Sequence, residues 1–123
     1  MKRVLPLLTL AALVASAPAV QATNIMSLLR ETPAELFTPA DYELFDAALR
    51  NALADLRQDG VVQWSNPETR AGGSVTVIRE YQRDGNACKR LRVDNHANNR
   101  KGYTTFDFCH QAEGRWVLAP MDD

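Results

Sequence analysis

The sequence predicts an α+β fold: one long N-terminal helix packed on an antiparallel meander sheet of four to five strands, with one cross-strand disulfide. Three observations carry this. Residues 39–58 hold a single apolar stripe at three- and four-residue spacing, the period of an α-helix. From Val61 onward, short runs rich in β-branched and aromatic residues alternate with turn residues, among them Asp84-Gly85 and Glu113-Gly114. The two cysteines, Cys88 and Cys109, lie equidistant from Asn98-Asn99, so a hairpin turning there sets them face to face.

The chain opens with the pattern of a secretory leader over residues 1–22. Lys2 and Arg3 precede the apolar run Val4–Val14, and small residues follow, with cleavage favoured after Ala22. That run is shorter than the roughly 20 residues a bilayer span requires. No cysteine follows a cleavage site. The expectation is a periplasmic or secreted protein with neither a lipid anchor nor a transmembrane segment in its mature chain.

Residues 23–38 then form an N-terminal arm with short helical turns. Asn24–Arg30 is a short helix or an ordered arm, and Thr32-Pro33 looks like a helix start. Residues 39–123 form a single domain, near the lower size limit for a self-sufficient core. The net charge is −1, and removing Lys2 and Arg3 with the leader makes the mature chain more acidic. Nucleic acid is therefore not an expected partner.

Thr38-Pro39, with Asp41 behind it, supplies a capped start for the long helix, expected over Pro39–Gln58. Phe45, Ala48, Leu49, Ala52, Leu53 and Leu56 make its apolar stripe, and Gly60 is placed to close it in a left-handed cap. Strands follow at Val61–Trp64, Ser74–Arg83, Ala87–Asn95, Tyr103–His110 and Arg115–Ala119. A loop containing Asn66-Pro67 and Gly72-Gly73 joins the first two.

Two turns fix a register. Around Asp84-Gly85, Ile78 faces Leu91 and Tyr81 faces Cys88; around Asn98-Asn99, Leu91 faces Phe106 and Arg90 faces Asp107. Cys88 and Cys109 then form a non-hydrogen-bonded pair with Cα atoms about 4.5 Å apart, within disulfide range. Their bond is expected on the face opposite Leu91 and Phe106, as a staple on the outer surface of the sheet. An even cysteine count in an exported chain fits that bond. A loop from His96 to Lys101 keeps the same centre, so the turn type stays open.

Catalytic chemistry is thin. His96 and His110 fall at opposite ends of one hairpin and cannot share a metal; no metal or cofactor is expected. No Gly-x-Ser-x-Gly or glycine-rich phosphate loop occurs. Asp107 beside Arg90 fits a structural ion pair, and no catalytic residue is assigned. Arg79, Tyr81, Arg90, Arg92 and Tyr103 share the disulfide-bearing face, a composition suited to binding carboxylate or phosphate.

Trp64-Ser65-Asn66-Pro67-Glu68-Thr69, followed by Tyr81, Gly85, Cys88, Gly102, Cys109 and Gly114-Arg115-Trp116, carries a resemblance. The chain is similar over about its last 60 residues to the C-terminal domain of the bacterial 17 kDa surface antigen family of envelope proteins. It lacks that family's lipidated cysteine and glycine zipper, and Lys89 and His110 stand where arginines usually follow the two cysteines. The resemblance implies a disulfide-bonded envelope domain and transfers no enzymatic activity. The resulting reading is a non-enzymatic exported binding or structural module, with an anionic envelope component or an acidic envelope protein as partner. A secreted inhibitor of an envelope hydrolase, presenting Trp64–Gly73 as its loop, is the alternative.

Overall fold

The computed structural model describes residues 29–121. The leader, its cleavage site and most of the arm before Leu29 lie outside the described residues. A 3₁₀ turn, Pro33–Leu36, is capped by Thr32 and followed by the helix α1, Pro39–Asp55. Five strands follow: β1 Val61–Asn66, β2 Ala71–Arg83, β3 Asn86–Ala97, β4 Arg100–His110 and β5 Trp116–Ala119. They pair antiparallel in sequence order as a half-barrel meander.

The two inner hairpins turn through residue pairs with positive φ. Asp84 and Gly85 have φ of 52° and 79°, Asn98 and Asn99 of 49° and 67°. Two successive left-handed residues match the twist of the flanking strands, which settles the second loop as a two-residue turn. The helix stripe faces the sheet. Phe45, Ala48, Leu49, Ala52 and Leu53 join Trp64, Val75, Val77, Leu91, Val93, Phe106 and Phe108 in one core. Phe37, Phe45 and Trp64 form its aromatic end, with ring centroids 5.1–6.2 Å apart.

Four local expectations are corrected. First, β2 slips by one residue between Val77 and Arg79, so Val77 and not Ile78 faces Leu91. The clamp is visible on the β1 side: Val77 N–H donates to the Gly60 carbonyl at 3.0 Å, and Asp59 N–H donates to the Val77 carbonyl at 2.7 Å. Ile78 is extruded as a bulge, and Val75 and Val77 become fully buried.

Second, α1 stops at Asp55 without a glycine cap. Asp59, with φ of 72°, takes the left-handed position. The Lys89 ammonium binds the freed carbonyls of Ala52, Leu53 and Leu56 at 3.2, 2.7 and 2.6 Å.

Third, the β1–β2 loop shrinks to Pro67–Arg70, because β1 runs on to Asn66 and β2 starts at Ala71. Gly72 and Gly73 enter the strand because neighbours occupy their side-chain space. A Cβ on Gly72 would meet the His96 ring at 2.9 Å, and one on Gly73 would meet Asn95 Oδ1 at 2.5 Å.

Fourth, the disulfide occupies the expected face but is buried, with Cys88 1% and Cys109 6% exposed. Tyr81 and Val117 flank the pair in its cross-strand row. It stands apart from the apolar core under α1.

Candidate functional site

The register places Arg79, Tyr81, Arg90, Arg92 and Tyr103 together on the sheet face away from α1. The Cys88–Cys109 bond closes one end of that face, its Cα atoms 4.1 Å apart. Next to it lies a fully buried carboxylate, Asp107. Arg90 approaches it bidentately, Nε to Oδ1 at 2.8 Å and Nη2 to Oδ2 at 3.2 Å. The Tyr81 hydroxyl donates to Oδ2, and Arg83 Nη2 stands 3.9 Å from the same oxygen.

Burial alone would raise the Asp107 pKa. The hydrogen bonds from Arg90 and Tyr81, with the charges of Arg90 and Arg83, outweigh burial and hold the carboxyl below its ordinary value. Burial and the adjacent carboxylate raise the Tyr81 phenol. A carboxylate so saturated with donors stays ionised and neutralises part of the arginine cluster from within. It is a structural centre.

The remaining cations stack on aromatic rings. The Arg79 guanidinium lies 4.6 Å from the Tyr81 ring centroid, and Arg92 lies 4.0 Å from that of Tyr103. Asp94 holds Arg92 in place through two hydrogen bonds of 3.0 and 3.2 Å. Tyr103 is 64% exposed. The five expected residues therefore divide into Tyr81 and Arg90, half-buried around Asp107, and Arg79, Arg92 and Tyr103, which are exposed.

Beyond Tyr103 the same face opens into a hollow of about 790 Å³. Two cross-strand rows supply most of its polar lining: Gln63, Ser74, Asp94 and Tyr103, then Ser65, His96 and Lys101. A smaller cavity of about 290 Å³ adjoins it at His96 and Lys101, between Arg70 on the β1–β2 loop and the Asn98-Asn99 turn. Neither Asp94 nor His96 is among the contacts expected from the sequence. Alternation along β3 was the available signal, since both continue the Arg90, Arg92 series by twos. His110 pairs with Trp116 at the far end of β4, away from His96.

Among the described residues, no cluster of His, Cys, Asp and Glu could hold a metal ion. Among the same residues, no helix is long and apolar enough to cross a membrane. Comparison with curated proteins and with solved structures finds no match. A family model described as 17 kDa outer membrane surface antigen matches residues 51–117, more than half of the chain. That span runs from the second half of α1 into β5, taking in both cysteines, the Asp107 centre and the hollow. The chain belongs to the 17 kDa outer membrane surface antigen family, which implies a place in the cell envelope.

Proposed function

We propose that the protein is a non-enzymatic, exported envelope protein: a disulfide-stabilised binding or structural module, periplasmic or secreted after removal of residues 1–22. Its partner is an anionic envelope component or an acidic envelope protein. The contact face is the one turned away from α1, with Arg79, Tyr81, Arg90, Arg92 and Tyr103 as contact residues.

One observation carries the reading. Arg92 is fixed before any partner arrives, stacked on Tyr103 and clamped by Asp94. Holding a long side chain in its working geometry removes an entropy cost from binding. Arg90 contributes differently, since it sets the Asp107 centre that supports this face.

The test is affinity capture from an envelope extract by the protein and by an Arg79→Ala/Arg92→Ala/Tyr103→Ala variant, compared by mass spectrometry and glycan analysis. Arg90 is kept, so that the buried centre survives. Specific capture by the unmodified protein and its loss in the variant are expected. Equal capture by both proteins would falsify the reading.

A further inference from the structure

We propose that the hollow beside Tyr103 is a carbohydrate site for an acidic saccharide, with its ring over Tyr103 and its carboxylate toward Arg70 and Lys101. The inference rests on the binding reading above and narrows it to one ligand class.

Three features converge there. The first is size. At about 790 Å³ the hollow lies within the range of small-molecule sites and exceeds what a bare anion fills. The second is its lining. Serine hydroxyls, a glutamine amide, the His96 imidazole and the Asp94 carboxylate mix donors with acceptors, as a ligand rich in hydroxyl groups requires. Tyr103 adds a broad exposed ring against which the C–H face of a sugar can pack.

The third is charge. Asp94 is already neutralised by Arg92 at 3.0 Å. Arg70 and Lys101 form no ion pair among the described residues, and both line the adjoining smaller cavity with Arg100. Arg100 reaches a distant Glu35 at 3.9 Å and donates to the Glu31 carbonyl at 3.2 Å. A positive rim therefore borders a polar, near-neutral floor. Arg70 also sits in the left-handed region, with φ of 63°, a costly conformation for any residue bearing a Cβ. Glycine there would relax the backbone while deleting the charge, which supplies a clean variant.

The experiment is an amide NMR titration of the protein with trigalacturonate, maltotriose and inorganic phosphate. Trigalacturonate is expected to give saturable shifts at Ser74, Asp94, His96 and Tyr103, with maltotriose at least tenfold weaker. Arg70→Gly/Lys101→Ala should weaken trigalacturonate at least tenfold without lowering thermal stability, whereas Arg50→Ala, on the exposed side of α1, should change affinity less than twofold. Equal affinity for maltotriose, the same shifts from phosphate alone, or no saturable shift overturns the site. If the Arg70→Gly/Lys101→Ala protein still captures the envelope material that the unmodified protein captures, the saccharide site falls while the wider binding reading stands.

Discussion

Lys89 shows how one side chain decides where an element stops. Every helix ends with carbonyls that lack intrahelical partners. Here the stop comes from across the sheet, where three Lys89 donors meet the carbonyls of Ala52, Leu53 and Leu56. The cation also lies at the negative end of the helix dipole. It is buried at 8% exposure, with Trp116 alongside at 5.4 Å from ring centroid to Nζ. Burial lowers its pKa, and the three carbonyls justify keeping the charge inside. Replacing Lys89 with methionine keeps an apolar stem of similar length but strands those carbonyls. The expected cost is about 2 kcal/mol, since an orphaned buried acceptor forfeits its solvation. Urea unfolding should show a lower midpoint at unchanged slope. A variant as stable as the parent would mean that Lys89 is not what terminates α1.

Elements differ in how much of them a linear reading reaches. The β3–β4 hairpin is legible because its turn is symmetric and its pairs are chemically distinctive: cysteine with cysteine, Arg90 with Asp107. Leu91 meeting Phe106 completes the pattern. The bulge at Ile78 is not legible, because its cause is a tertiary clamp from the Asp59–Gly60 turn on Val77. Gly72 and Gly73 look like loop residues for the same kind of reason. The neighbouring strands make glycine suitable there: the His96 ring and the Trp64 carbonyl crowd Gly72, and the Asp94 carbonyl and Asn95 Oδ1 crowd Gly73. The helix start is the opposite case. Thr38 and Asp41 form a local capping box, and all the needed groups lie within four residues. The site divides similarly: the arginine–tyrosine face follows from parity, whereas the hollow depends on four strands curving together. The disulfide, joining residues 21 apart, tests the hairpin as an element. Cys88→Ala/Cys109→Ala should lose about 3 kcal/mol through the freed chain entropy of the unfolded state. The reduced parent protein should match the variant in denaturant titrations. A loss below about 1 kcal/mol would assign the hairpin's stability to the Asp107 centre and the turn instead.

At the scale of the whole molecule, two buried carboxylates hold the layers in register from opposite ends. Asp41 closes the capping box of α1 and also accepts hydrogen bonds from Asn66 Nδ2 and Thr69 Oγ1, both at 2.7 Å. One acid thus joins the helix N-terminus to the β1–β2 loop. Asp107 joins β2, β3 and β4 through Tyr81, Arg83 and Arg90. In both, burial pushes the pKa up and donors outweigh it, so each folded value lies below the ordinary 3.8. The sign of the pH dependence follows. Below about pH 5 the unfolded chain, with ordinary aspartates, takes up protons before the folded one does. Stability is therefore complete above that range and declines as pH falls through 4 toward the depressed folded values. Asp41→Asn deletes one of the two contributions and should flatten the decline between pH 5 and 3. It should leave the neutral-pH stability lower, because the capping box and the ties to the loop are weakened together. Urea midpoints at a series of pH values measure both effects. Were the variant to keep the parent's full acid dependence, Asp41 would have the same pKa folded and unfolded, and its donors would only balance its burial.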